Sequence, residues 1–216
     1  MIKAVIFDLD GTVVESTNCD FHAWQKLFSD LGTGFSFDDY KGISGKKTAE
    51  ILKGKIKDIK EQDVDKFSII RTGYFKECVE KNSLKPANGL IDFLNSLTEN
   101  GYKVAIQTGA SRRRVSFMLK AANVERHFSI VVTADDVSFG KPNPETVLTA
   151  ARKLGCKPEE CLVIEDAPLG IAAAKNAGMK CIAITTTHSA GELKEADKII
   201  RSFDELSAEK LRNFFD

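Results

Sequence analysis

The sequence lacks any apolar run that reaches the roughly 18 residues a membrane helix needs. Its N-terminus also lacks the basic segment and long apolar run of a secretory signal. A cytoplasmic protein with no membrane partner is therefore expected. Neither sign of charge is in excess, since Lys+Arg and Asp+Glu both number 31 in 216 residues. No global basic field recruits nucleic acid, so no nucleic-acid partner is expected and any ligand must be recognised locally. The five cysteines, Cys19, Cys78, Cys156, Cys161 and Cys181, are odd in number and include no Cys-x-x-Cys. That argues against a disulfide framework and a structural zinc site, and for free thiols in a reducing compartment. Internal repeats and low-complexity tracts are absent, and nothing demands more than a monomer.

What is present suits one domain, or a core carrying a smaller insert. Hydrophobic residues at 43% and charged residues at 29% suffice for a core that folds without staples. The first pattern is Lys3-Ala-Val-Ile-Phe-Asp8-Leu-Asp10-Gly11-Thr12. Its continuously apolar run reads as a strand covered on both faces, delivering two carboxyl groups to its C-terminal end. From Ser16 the period becomes helical, with Phe21, Trp24, Leu27, Phe28 and Leu31 at spacings of three and four. A polar, Lys-rich stretch, Asp38 to Lys60, follows, and then a helix from about Glu61 to Lys81. Residues 16–82 show no strand pattern and read as an all-helical insert.

After the punctuation of Pro86-Ala87-Asn88-Gly89 the chain alternates. Strands are expected at Lys103–Gln107, Ser129–Val132, Cys161–Ile164, Lys180–Ile184 and Lys198–Ile200. Helices are expected at Leu90–Leu97, Ser111–Ala122, Pro144–Leu154, Leu169–Ala177 and Asp204–Phe215. Strand and helix in alternation give the fold class: α/β, a doubly wound, mostly parallel sheet with an inserted all-helical domain. The core comprises 1–15 and 83–216, and the insert 16–82. Ligands of such sheets bind outside the carboxyl ends of the strands, where Asp8, Asp10, Thr108, Gly109, Glu165 and Asp166 are all expected. The insert enters over that same edge, as a lid would.

Two aspartates one residue apart, joined by Glu165 and Asp166, make this edge acidic enough to call for a hard divalent cation such as Mg²⁺. The Thr108 hydroxyl, the Gly109 backbone, the start of the helix from Ser111, and Lys141 on its Pro-flanked loop are suited to an anion. Acid for a metal together with donors for an anion describes phosphoryl transfer. Asp135 and Asp136 read as loop braces, and Arg112, Arg113 and Arg114 as a solvated basic run or an aid to phosphate attraction. His188 follows a strand end and has a candidate loop role. His127 reads as surface or packing.

Asp8-Leu9-Asp10-Gly11-Thr12, Thr108-Gly109-Ala110-Ser111, Lys141-Pro142 and Glu165-Asp166-Ala167-Pro168-Leu169-Gly170-Ile171 resemble the four successive motifs of the haloacid dehalogenase-like superfamily. Within it the chain is similar to the sugar-phosphate phosphatase and beta-phosphoglucomutase group, which carries a helical cap after the first motif. The resemblance implies Asp8 as nucleophile and Asp10 as general acid and then base. It implies Mg²⁺ held by Asp8, the Asp10 carbonyl and Asp166, with Glu165 orienting these ligands or meeting the metal through water. Thr108, Gly109 and Lys141 would hold the phosphoryl group of a small phosphorylated substrate. The second aspartate sets the chain apart from dehalogenases proper.

The resemblance also places Ser44, Gly45 and Lys46 in the loop that sets substrate specificity. Gly45 stands where mutases carry an arginine. The cap histidine of mutases corresponds to Asp20 here. His22, two residues on and rotated by roughly 200°, is a weaker candidate for the same role. The implied activity is a Mg²⁺-dependent phosphatase. A beta-phosphoglucomutase-like mutase and an idle phosphometabolite sensor are the alternatives.

Overall fold

The computed structural model describes residues 1–215, with side chains through Arg212. Six strands, β1 Ala4–Asp8, β2 Lys103–Gln107, β3 Ile130–Val132, β4 Cys161–Glu165, β5 Lys180–Ile184 and β6 Lys198–Ile200, form one sheet in the order β3-β2-β1-β4-β5-β6. Every pairing is parallel. From β1 the chain winds outward through β2 to β3, then returns to lay β4 on the other side of β1. The reversal sits beside β1, and the crevice it opens lies above Asp8.

The helices are α1 Thr17–Asp30, α2 Phe37–Ile43, α3 Thr48–Lys55, α4 Glu61–Asn82, α5 Leu90–Glu99, α6 Arg112–Ala121, α7 Glu145–Leu154, α8 Pro168–Asn176 and α9 Ala208–Phe215. All five residues of β1 are buried, because its two faces feed two cores. Val5 and Phe7 face a cluster with Leu90, Phe93 and Met118. Ala4 and Ile6 face another with Val147, Ala150 and Ile171. This double burial is the physical reason the strand reads as an unbroken apolar run.

Between β1 and α5 the chain forms only helices. Here α1 to α3 and the start of α4 enclose a third cluster of Trp24, Leu27, Phe28, Phe35, Tyr40, Ile43, Ile51, Leu52 and Val64. The polar, Lys-rich stretch 38–60, to which the sequence pattern assigns no individual helix, holds most of α2 and the whole of α3. Helix α2 starts at a capping box in which the Ser36 hydroxyl accepts the Asp39 N–H and Asp39 accepts the Ser36 N–H. Helix α4 also buries Arg71, Phe75 and Val79 along one stripe.

The expectation of five free thiols is corrected. Cys19 of α1 and Cys78 of α4 form a disulfide with Cα atoms 5.5 Å apart, while Cys156, Cys161 and Cys181 are free. An odd count constrains only the total, and pairing is decided by the close approach of α1 and α4. Among the described residues no helix is long and apolar enough to cross a membrane.

Candidate active site

Strand β1 ends at Asp8, and the chain then folds back on itself. The Val13 and Val14 N–H groups both donate to the Leu9 carbonyl, and the Gly11 N–H donates to the Val14 carbonyl. Asp10 therefore reaches the sheet edge from a turn, rather than by strand alternation. Gly11 takes a φ of +78°, and a Cβ there would lie 2.2 Å from Asp166 Oδ2. Both the backbone conformation and the close approach require glycine. The turn is further held by Thr186, whose hydroxyl donates to the Gly11 carbonyl at 2.5 Å.

At the centre lies Lys141, its side chain wholly buried. Its ammonium donates to Asp8 Oδ1 at 2.5 Å and to Glu165 Oε1. Gln107 at the end of β2 donates from Nε2 to the same Glu165 oxygen at 2.8 Å. Burial pushes the Asp8 carboxyl well above its ordinary value, and Glu165 adds to the rise, with Lys141 opposing it. Burial, then Glu165, push Asp166 up to about 7. For Lys141, burial acts against the charge, but Asp8 and Glu165 outweigh it and hold the ammonium above its ordinary value.

Asp8, Glu165 and Asp166 each offer a carboxylate oxygen within 4.8 Å of one another. Asp166 Oδ2 is buried with no hydrogen-bond partner. An orphaned carboxylate oxygen in an all-oxygen cluster is what a hard cation would complete, so these residues fit Mg²⁺. His188, also buried, has Nδ1 2.9 Å from the Asp166 carbonyl and fixes the backbone of that acid.

A small cavity of about 40 Å³ opens over this cluster. Asp8, Asp10, Thr108, Gly109, Glu165 and Asp166 line it from the sheet, and Ser44, Gly45 and Lys46 line it from the insert. Thr108 accepts the Ala110 N–H at 3.1 Å through its hydroxyl oxygen, which leaves the hydroxyl hydrogen free to donate. The insert sits directly on this edge. A Cβ on Gly109 would lie 2.8 Å from both the Gly45 and the Lys46 carbonyl oxygens. Further contacts pin the two parts together. Lys47 donates to the Val137 carbonyl at 2.8 Å, the Gly140 N–H donates to Glu50 at 3.0 Å, and Lys41 donates to Glu192 at 3.1 Å.

His22 is corrected. It is exposed on the outer side of α1, beside a different hollow lined by Lys26, Tyr74 and Glu77, because two residues of helix turn it away from the cavity-lining Asp20. Arg114 departs from the solvated basic run. Arg112 and Arg113 are exposed, and Arg112 binds Asp135 through its N–H and Asp136 through its guanidinium. Arg114 is buried, donating to Asp10 and Asp20. Arg71 of α4, also unexpected, is buried and bound to Asp20.

Residues 5–184 match the family of haloacid dehalogenase-like hydrolases, and the chain belongs to that family. Several of its relatives are named phosphatases. The chain is 31% identical to validoxylamine A 7'-phosphate phosphatase of Streptomyces hygroscopicus subsp. limoneus, over 95% of this chain and 96% of that one. It is 30% identical to hexitol phosphatase A of Escherichia coli, over 98% and 96%. A beta-phosphoglucomutase from Clostridium difficile shares the fold, with a TM-score of 0.89 at 24% identity, covering 100% of this chain and 97% of that one.

Proposed function

We propose that the protein is a Mg²⁺-dependent phosphatase of a small phosphorylated metabolite, a sugar or polyol phosphate, with residues 16–82 serving as a cap over a core of 1–15 and 83–216. The observation that carries this reading is the buried cluster of Asp8, Glu165 and Asp166 around Lys141, beneath a cavity closed by the insert. The two phosphatase relatives named above, one acting on a hexitol phosphate, support the substrate class.

In this reading Asp8 attacks phosphorus. The leaving alkoxide takes a proton from Asp10, and an aspartyl phosphate forms. Water then attacks phosphorus, gives its proton to Asp10, and releases phosphate and free Asp8. Lys141, the Thr108 hydroxyl and the Gly109 backbone hold the transferring oxygens. The Asp8 carboxylate, the Asp10 carbonyl and Asp166 would hold Mg²⁺, with Glu165 and Gln107 bracing Lys141. When bound, the ion neutralises charge on the phosphoryl oxygens. Gly45 offers no side chain to grip a second phosphate, which favours hydrolysis over mutase chemistry.

The test is phosphate release from a panel of hexose and hexitol phosphates, with and without Mg²⁺. Native enzyme should turn over with metal, and Asp8→Asn should not while remaining folded. Activity surviving in Asp8→Asn, or product that is an isomeric sugar phosphate instead of free phosphate, would refute the reading.

A further inference from the structure

Four charged side chains meet at the seam between the insert and the sheet edge. Arg114 of α6 donates from Nη2 to Asp10 Oδ1 at 2.6 Å and to Asp20 Oδ1 at 2.6 Å. Arg71 of α4 also donates to Asp20 Oδ1. The Ser16 hydroxyl donates to Asp10 Oδ1 at 2.7 Å. Asp20, Arg71 and Arg114 are all buried. Asp10 and Arg114 belong to the sheet side, and Asp20 and Arg71 to the insert. One nitrogen of Arg114 thus joins an acid of the core to an acid of the insert.

The guanidinium planes are held by insert aromatics as well. Arg114 lies 4.3 Å from the ring centre of Phe75, and Arg71 lies 4.4 Å from that of Trp24. Lifting the insert would therefore remove both Asp20 and Phe75 from Arg114. What would remain on Arg114 among these contacts is Asp10, with no wall behind the guanidinium to fix its direction.

Stability alone is a poor explanation for this network. Burying four charges costs desolvation that ion pairing barely offsets, and an apolar set of the same volume serves a core as well or better. The network is also incomplete. The Nε groups of Arg71 and Arg114 are buried without partners, and both arginines line the cavity above Asp8. Buried donors left open at a cavity wall are available to the oxygens of a ligand or of water. Both donors to Asp10 converge on Oδ1, and among the described residues no donor reaches Oδ2. That oxygen is left to exchange a proton with the leaving group.

We propose that Arg114 is a positioning residue that aims Asp10 only when the insert is seated, with Asp20 as the insert's half of the coupling. The inference rests on the phosphatase reading, in which Asp10 is the proton donor. Seating the insert brings Asp20 and Phe75 against Arg114. The guanidinium then holds Asp10 Oδ1 against Ser16, and Oδ2 is presented to the leaving oxygen. With the insert lifted, Asp10 loses that aim, and proton delivery is reserved for the enclosed substrate.

The experiment compares two leaving groups on the same enzyme preparations: the hexose or hexitol phosphate of the panel above that native enzyme hydrolyses fastest, whose alkoxide must be protonated, and para-nitrophenyl phosphate, whose phenolate needs little help. Native enzyme, Arg114→Gln, Asp20→Asn and the double variant are assayed in Mg²⁺. General acid catalysis is worth about 10²- to 10⁴-fold. Both single variants should lose about 10- to 100-fold more kcat/KM on the alkyl phosphate than on the aryl phosphate. The double variant should lose no more than the worse single one. The ratio of the two activities does not depend on how much of a preparation is folded. If Arg114→Gln does not fold, the isosteric Asp20→Asn carries the test. Equal losses on both substrates, or an unmoved ratio in Asp20→Asn, overturn the coupling while leaving the phosphatase reading intact. Native enzyme that releases no phosphate from para-nitrophenyl phosphate or from any member of the hexose and hexitol phosphate panel overturns both.

Discussion

Replacing Lys141 by methionine keeps most of the bulk of the side chain, ends it one atom short, and removes its charge and the N–H donors to Asp8 and Glu165. Lys141 is wholly buried and donates to Asp8 and Glu165, with Asp166 in the same cluster. The variant leaves these acids buried without their cation. Breaking a buried ion pair from one side costs about 3–5 kcal/mol. Unfolding entropy of about 2.1 cal/mol/K per residue gives roughly 450 cal/mol/K for this chain, so the melting temperature should fall by about 7–11 °C at pH 8 without metal. The loss should depend on pH in a defined sense. Asp8 and Asp166 titrate above their ordinary values even beside Lys141, so acid neutralises them in the folded protein. Once they are protonated the lysine has less charge to balance, and the deficit should shrink towards pH 5. Mg²⁺ supplies another counter-charge and should narrow the gap at pH 8. Thermal melts of both proteins at pH 5 and pH 8, with and without Mg²⁺, measure all of this. A fall of less than about 3 °C at pH 8, or one equally large at pH 5, would refute the account of Lys141 as the counter-ion of the cluster.

Gly109→Ala should leave the melting temperature within a few degrees of native. It should cost on the order of 10²-fold in kcat/KM, since its Cβ meets the Gly45 and Lys46 carbonyl oxygens at 2.8 Å and shifts the insert. Unchanged kinetics would show that the insert need not sit this close. Mg²⁺ affinity, followed by calorimetry, should weaken about tenfold per pH unit below 7, because Asp166 is held up to about 7 and must lose its proton to bind metal. A flat profile from pH 5.5 to 7 would contradict that assignment. Reducing the Cys19–Cys78 bond, which closes a loop of sequence separation 59, should destabilise the protein by up to about 4 kcal/mol. Melts with and without dithiothreitol, alongside Cys78→Ser, check it, and coincident melts would refute it.

The centre of the sheet was legible because β1 and β4 are sheathed on both faces and so read as unbroken apolar runs ending in their polar residues. Asp8, Thr108, Glu165 and Asp166 needed only the rule that ligands gather at carboxyl ends. Lys141 was legible as a cation on a Pro-flanked loop, but no periodicity showed that its ammonium would be buried between Asp8 and Glu165. The charged seam was harder. Arg114 lies in a run of three arginines, and local sequence treats them alike. Yet Arg114 and Met118 fall four residues apart on one helical stripe, as do Arg71, Phe75 and Val79, and all five are buried. A charged residue within an apolar stripe is a buried charge, and that signal was available. Helices α2 and α3 were obscured by their lysines and aspartates, although Ser36 and Asp39 carried a readable cap. The disulfide was not legible, because it depends on which helices become neighbours.

The central place of β1 also bears on how the chain is made. This strand leaves the ribosome ahead of both its neighbours, and its pairing partners begin at Lys103 and Cys161. Until those partners are made an apolar strand with open edges must wait, which is the kind of segment that associates with other chains. The same order delays chemistry. Asp8 is synthesised first, Lys141 follows it by 133 residues, and Asp166 comes later still. The cluster therefore assembles as the fold closes, and a nascent chain carries its nucleophile without the groups that would arm it.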